Sequence, residues 1–269
     1  MSAAEFLPSI ESIARGAGAV LMRHFRRLDG YEKKGAIDLQ TIADRESEAY
    51  VTAEIMRLFP DHGILAEESG EVLGNPDSPY LWIVDPLDGT TNYAHGLRIF
   101  GVSIAVTLRG KPLAGAVYAP ALDEMYLAAQ GGGATRNGQR IEVSRTAELE
   151  NALLVTGFPY NRREHMETLT SMHRAGLEVS RGVLRLGAAS LDFANVAAGH
   201  LEAFYEYGLR PWDMAAGVLL VTEAGGTVTG LMAGEELDLF KPRCLASNGR
   251  IHAGLLAVLE RSGAGNLPR

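Results

Sequence analysis

Cysteine is almost missing from this sequence: Cys244 is the single one in 269 residues. That excludes an intrachain disulfide framework and fits a reducing compartment. Long hydrophobic runs are missing too. The longest, Met214 to Val221, falls far short of the roughly 20 residues of a membrane span. Glu5, Pro8, Glu11 and Arg15 interrupt the first residues, so no signal-peptide core is present. A cytoplasmic protein with no membrane association is expected. Positive charge is in deficit, with 25 Lys+Arg against 33 Asp+Glu and a net charge of -8. Such a chain repels a phosphate backbone at long range, which disfavours direct nucleic-acid binding. The same excess of carboxylates suits a divalent cation. Apolar residues are not scarce. At 46% hydrophobic and 22% charged, the composition excludes disorder and a mini-protein scaffold.

At about 150 residues per domain, the length fits one large domain or two small ones. Helical spacing of Phe6, Leu7, Ile10, Ile13, Ala14, Ala17, Val20, Leu21 and Phe25 predicts a first helix ending at Asp29-Gly30. A second is expected from Asp44 to Phe59, with Ile55, Met56 and Leu58 buried and Pro60 as its stop. Gly63 to Ala66 and Leu81 to Val84 read as apolar strands, each running into acidic residues. Ser103 to Leu108 and Leu113 to Ala119 flank a turn at Arg109-Gly110. Met125 to Ala129 continues the series, and Asn137-Gly138 marks another hairpin. Beyond these, strands and helices alternate: Leu153–Thr156, Glu164–Ser180, Val183–Leu186, Ala188–Ala198, Leu201–Tyr207, Trp212–Ala224, Thr227–Thr229, Leu245–Ser247 and Ile251–Leu259. The expected fold is a layered α/β sandwich. Residues 1–147 would form a mixed-sheet half and residues 148–269 an alternating α/β half, joined as one catalytic unit. The Gly-rich tail from Ser262 is expected to be loose.

The informative segment is Trp82-Ile83-Val84-Asp85-Pro86-Leu87-Asp88-Gly89-Thr90-Thr91-Asn92. An apolar strand delivers two carboxylates three residues apart, and Pro86 stiffens the link between them. Gly89 allows close backbone approach, and Thr90, Thr91 and Asn92 suit a helix start, whose free N–H groups attract phosphate. Carboxylates beside an anion site repel it unless a hard cation such as Mg²⁺ lies between. Glu67, Glu68, Glu206, Asp213, Asp38 and Asp44 sit at similar strand ends and helix starts. Taken singly, Asp44, Asp88 and Asp213 read equally as simple helix N-caps, and Glu67-Glu68 as a solvated loop.

Asp85-Pro86-Leu87-Asp88-Gly89-Thr90-Thr91-Asn92 resembles the signature of the inositol monophosphatase family. Trp212-Asp213-Met214-Ala215-Ala216-Gly217, running on to Glu223-Ala224-Gly225-Gly226, resembles its second signature. Ala66-Glu67-Glu68-Ser69 and Asp38 to Asp44 match two further family stretches, all in order. The likeness spans about residues 5 to 260 and is strongest to the bacterial inositol-1-monophosphatase branch, given Asn92 to Gly96 and Gly208 to Asp213.

The resemblance implies an α-β-α-β-α fold, a homodimer, lithium sensitivity and two or three Mg²⁺ ions. It implies that Glu67, Asp85 and the Leu87 carbonyl hold one ion, and that Asp85, Asp88 and Asp213 hold a second. Glu67 would also face a third. Gly89 and Thr90, beside Thr91, would take the phosphate. Glu206 and the backbone at Ala189 would meet substrate hydroxyls, with Asp88 nearby. Glu67, or the Thr90–Asp44 pair, would accept a proton from a metal-activated water. Lys33 matches a family lysine by its spacing to Asp38, although Lys34 competes. The implied reaction is direct hydrolysis of inositol monophosphate to inositol and phosphate. Fructose-1,6-bisphosphate and other small monoesters are the alternatives. A further alternative is a regulatory protein that meets transcription or ribosome-maturation machinery.

Other motifs read as structural. Gly16-Ala17-Gly18 lacks the third glycine and preceding strand of a dinucleotide fingerprint, and no Walker lysine follows Gly131-Gly132-Gly133. His165 and His173 miss the four-residue spacing of a zinc pair, and Ser103 sits in no nucleophile elbow. Cys244 is expected buried and inert, and Trp82 and Trp212 packing residues beside the site. Arg162-Arg163 reads as a solvated loop ahead of a contact to substrate or a partner subunit, while substrate choice is expected to rest on Glu206, the Arg162–Met166 loop and the residues near Ala188-Ala189-Ser190.

Overall fold

The computed structural model describes residues 1–27, 32–33 and 39–268, and only the backbone of residues 32, 33 and 39. The expected stop at Asp29-Gly30, together with Lys34, Asp38 and the side chain of Lys33, lies outside the described residues. The elements run α1 (Ala3–His24), β1 (Glu32–Lys33), β2 (Leu39–Gln40), α2 (Ile42–Leu58), β3 (Gly63–Ala66), β4 (Val72–Gly74), β5 (Tyr80–Asp88), α3 (Thr90–Ala94), β6 (Gly101–Leu108), β7 (Lys111–Ala119), β8 (Glu124–Ala129), β9 (Gly133–Arg136) and β10 (Gln139–Ile141). They continue β11 (Leu153–Thr156), α4 (Met166–Val179), β12 (Gly182–Leu184), α5 (Ala189–Ala197), β13 (Ala203–Tyr207), α6 (Pro211–Glu223), β14 (Thr227–Thr229), β15 (Arg243–Ser247) and α7 (His252–Arg261).

An eight-stranded sheet has the order β10-β9-β8-β7-β6-β5-β3-β4, and a five-stranded sheet the order β12-β11-β13-β15-β14. Helices α1 and α2 cover one face of the larger sheet. Helices α5 and α6 fill the space between the two sheets, and α4 and α7 cover the far face of the smaller one. Three apolar clusters match these interfaces. The result is the expected α-β-α-β-α sandwich. No helix among the described residues is long and apolar enough to cross a membrane.

Turn chemistry accounts for the hairpins. Arg109-Gly110 and Asn137-Gly138 all take positive φ, as a two-residue turn between twisted strands requires. Several expectations need correction. Helix α1 ends at His24 with Phe25 as its cap, because Arg26 turns left-handed. In α2, Ile55 is buried, but Met56 and Leu58 are 40% and 38% exposed; they fall off the single stripe that faces the sheet. Strand β5 continues through Asp85 to Asp88 across an irregularity in its pairing with β6. The 164–165 stretch is not part of α4, because Arg162–Glu164 forms a separate 3-10 turn. The tail is not loose: Ala264 and Leu267 are buried in the cluster under α4 and α7. Trp82 packs against Phe6 and Phe59 and donates its indole N–H to Nδ1 of His62 at 3.0 Å.

Candidate active site

Register brings the first two carboxylates together. Strands β3 and β5 run parallel, with Ala66 opposite Val84. The residues that follow, Glu67 and Asp85, therefore stand side by side where the β3–β5 pairing ends, although eighteen positions separate them in sequence. The Glu67 N–H donates to the Val84 carbonyl at 3.2 Å, which fixes that exit. Asp85 is 2% exposed, and its Oδ1 accepts from the Leu87 N–H at 3.0 Å across Pro86. Ser47 donates to the Pro86 carbonyl at 2.9 Å, tying α2 to the same corner.

Asp88 closes β5 and reaches across the seam to α5. Its carboxylate accepts from the Ala189 N–H at 3.2 Å, from the Ser190 N–H at 2.8 Å and from the Ser190 hydroxyl. Gly89 then takes φ +87°, where a Cβ would lie 3.0 Å from the Ile99 carbonyl and 3.1 Å from the Ala188 Cβ. Only glycine suits that turn. Asp213 stands in the first turn of α6, where it accepts from the Arg210 N–H at 2.7 Å. Ser103, opposite Asp85 in the β5–β6 ladder, donates to the Trp212 carbonyl at 3.0 Å and anchors the start of α6 to the larger sheet.

Glu67, Asp85, Leu87, Asp88, Gly89, Thr90, Trp212 and Asp213 all line one cavity of about 650 Å³. A second cavity, of about 560 Å³, shares Asp88, Gly89, Thr90 and Asp213 with the first. It adds Thr91, Ala189, Glu206, Asp192, Arg162, Arg185 and His95. Glu67, Asp85, Leu87, Asp88, Gly89, Thr90, Thr91, Ala189, Glu206 and Asp213 each line one of these spaces, whereas Asp44 and Glu68 do not. Asp44 is buried behind Thr90, whose hydroxyl donates to Asp44 Oδ1 at 3.1 Å and also to the Leu87 carbonyl at 3.1 Å. Asp44 Oδ2 accepts from the N–H and the hydroxyl of Thr41 at 2.7 and 2.6 Å. Asp44 is thus both a capping-box residue and a partner of the site. The Ala189 N–H is committed to Asp88.

The electrostatics are one-sided. Burial, then repulsion from Glu67, Asp88 and Asp213, holds the Asp85 carboxyl well above the usual carboxylate range. Burial pushes Asp213 up to about 8 and Asp44 up to about 6, the latter against the Thr41 hydrogen bonds. Burial also raises Glu206 to about 8, opposed by the positive charge of Arg185. Among the described residues, no three acidic, histidine or cysteine side chains close into a coordination sphere by themselves. The carboxylates line a shared space.

Sequence reasoning missed Asp192, Arg185 and His95, while Arg162, read there as a solvated loop in preference to a substrate or subunit contact, lines the second cavity. Asp192 follows Ala189 and Ser190 on α5, a position the apolar pattern alone assigns to the core. Cys244 is buried as expected, opposite Glu206 in the β13–β15 ladder.

Residues 3–264 match the Inositol monophosphatase family. The chain belongs to that family. A solved inositol monophosphatase from Anabaena (Nostoc) sp. PCC 7120 is 45% identical, with 96% of each chain covered and a TM-score of 0.87. Nus factor SuhB of Pseudomonas aeruginosa is 42% identical over 252 residues, covering 92% of this chain and 93% of that one. A solved IMPase/NADP phosphatase complexed with Mg²⁺ and phosphate is 26% identical, covering 93% and 92%, with a TM-score of 0.80. Family membership makes this chain a phosphatase.

Proposed function

We propose that this phosphatase hydrolyses inositol monophosphate to inositol and phosphate with Mg²⁺ as its cofactor. The observation that carries the reading is the meeting of Glu67, Asp85, Asp88 and Asp213 on one cavity that opens toward Glu206. The donor set fits the ion: all four groups are hard oxygen donors, and their mutual repulsion calls for a cation. Glu67, Asp85 and the Leu87 carbonyl would hold one Mg²⁺, while Asp85, Asp88 and Asp213 would hold a second. A carbonyl oxygen that accepts from Thr90 keeps a second lone pair for that purpose. Bound there, Mg²⁺ supplies positive charge against the phosphate and lowers the pKa of the attacking water.

The protein's own part is positioning and proton handling. The turn at Gly89 presents the first N–H groups of the following helix to the phosphate. Thr90 and Asp44 form a buried proton path, and an Asp44 carboxyl raised to about 6 is poised to accept a proton near neutral pH. Glu206 faces the alcohol side. Hydrolysis of an ester made chiral at phosphorus is expected to proceed with inversion, as one direct displacement by water without a phospho-enzyme requires.

Arg162, Arg185 and His95 in the lining of the second cavity favour a sugar bisphosphate as a second reading. The likeness to a Nus factor favours a role beside transcription machinery as another. Phosphate release from inositol monophosphate, fructose-1,6-bisphosphate and NADP, with Mg²⁺ and with EDTA, tests the assignment. Preference for inositol monophosphate, lost in EDTA and inhibited by millimolar Li⁺, is expected. Equal rates with EDTA would sink it. Size-exclusion chromatography with light scattering checks the homodimer.

A further inference from the structure

We propose that Asp192 is a hydroxyl-recognition residue that works beside Glu206 to select esters of polyols; this rests on the phosphatase reading above. Asp192 is 1% exposed, yet it lines the cavity that also holds Glu206 and Asp88. Its Oδ1 has no hydrogen-bond partner among the described residues. A carboxylate oxygen taken from water without a partner costs free energy, and a folded core tolerates such a group chiefly where a ligand or ordered water completes it.

Structural explanations for Asp192 do not hold. It sits in the first turn of α5, where an acidic residue often caps a helix. Here that duty falls to Asp88, which takes the Ala189 and Ser190 N–H groups. Among the described residues, Arg185 is the cation whose charge acts on Asp192, but it makes no hydrogen bond to Oδ1. Nor can the side chain withdraw with its helix. A Cβ on Gly217 would lie 2.4 Å from the Phe193 ring, so α5 and α6 are pressed together beside it. Asn92 also holds the segment before α5 by donating to the Leu186 carbonyl at 2.8 Å. The carboxylate is therefore fixed at the cavity wall with an acceptor to spare.

Burial, then repulsion from Glu206 and Asp88, holds the Asp192 carboxyl well above the usual carboxylate range, yet its unpartnered Oδ1 can accept a hydrogen bond in either protonation state, so the complementary group is an O–H donor. The alcohol part of a polyol ester offers several neighbouring hydroxyls, enough for Glu206 and Asp192 together. An aryl ester offers none. A site built to hydrogen-bond a hydroxyl discriminates strongly against substrates that lack it.

The test compares wild type, Asp192→Ala and Asp192→Asn on inositol monophosphate and on p-nitrophenyl phosphate. For Asp192→Ala, kcat/KM is expected to fall about 10–100-fold on the inositol ester, mainly through KM, and less than about threefold on the aryl ester. Free inositol should inhibit aryl-ester hydrolysis by the wild type and need about tenfold higher concentration in the variant. Asp192→Asn keeps the volume and one acceptor oxygen, should recover part of the loss, and decides the matter if the alanine variant does not fold. Equal losses on both esters, or an unchanged inositol response, would overturn the assignment of Asp192 alone. A wild type that releases phosphate from neither ester would overturn the phosphatase reading, and this one with it.

Discussion

Asp88 and Ser190 grip each other across the seam between the larger sheet and α5: the Ser190 N–H donates to Asp88 Oδ2 at 2.8 Å, and the Ser190 hydroxyl donates to the same oxygen. They lie 102 positions apart in sequence. A hydrogen bond to a charged acceptor contributes about 1.5–3 kcal/mol. Ser190→Ala removes the hydroxyl and keeps the backbone bond. Its thermal midpoint should drop, and its kcat/KM should fall about tenfold as Asp88 gains freedom. Calorimetry and steady-state kinetics on one preparation check both effects. A variant unchanged in both would refute the idea that this contact positions Asp88.

Charge at the site trades stability for function. The Asp213 carboxyl is raised to about 8, largely by burial, with repulsion from Asp88 and Glu206 added. An acid whose folded pKa lies above its unfolded value binds more protons when folded, so stability falls as pH rises from about 4 to about 8. Without metal, the thermal midpoint should therefore decline across that window, and Mg²⁺ should raise it more at pH 8 than at pH 5. Asp213→Asn should flatten the metal-free decline and raise the midpoint at pH 8. It should also cut phosphatase activity at least about 100-fold. Scanning calorimetry in EDTA across pH measures the first effect. A midpoint that climbs with pH in the wild type would contradict it.

Thr90 and Asp44 give a separate pH signature. Asp44 must be deprotonated to accept a proton through Thr90, and its carboxyl is raised to about 6. The acid limb of log kcat should rise to a plateau around that pH. Asp44→Asn should lower kcat about 10²–10⁴-fold, as loss of a general base does, and should remove the limb. Thr41→Ser keeps both hydrogen bonds to Asp44 and should leave the limb in place. An unchanged limb in Asp44→Asn would assign the proton acceptor to Glu67 instead.

The layered fold was legible because its signals are local. Apolar strands that run straight into carboxylates mark the strand ends of a site, and Arg109-Gly110 and Asn137-Gly138 carry hairpin geometry in the residues themselves. Glu67, Asp85, Asp88 and Asp213 stood out because each follows or opens an apolar element. Asp192 did not, because on α5 it sits among Leu191, Phe193 and Ala194, where the pattern signals only burial. Met56 and Leu58 misled for the opposite reason: apolar character does not say which helical face meets the sheet. The tail misled because glycine content says nothing of Leu267 reaching an apolar cluster contributed by α4 and α7.

Gly157 makes the final case, since it is defined by what it lacks. It follows β11, and the parallel pairing of β11 with β13 sets Thr156 opposite Tyr205, bringing Gly157 against Glu206. A Cβ there would lie 2.0 Å from Glu206 Oε2 and 2.3 Å from its Cδ. The obstructing atoms are the end of a flexible side chain, so Gly157→Ala should displace the carboxylate and leave the sheet intact. Glu206 lines the cavity that the proposed reading gives to the substrate alcohol. The substitution should therefore raise KM for the inositol ester about tenfold or more, the scale of a misplaced contact, with a smaller change on p-nitrophenyl phosphate. Glu206→Ala, which removes the obstruction, should cost little further when combined with Gly157→Ala, because both changes vacate one contact. Independent, multiplicative losses in the double variant would mean that Gly157 acts on something other than Glu206.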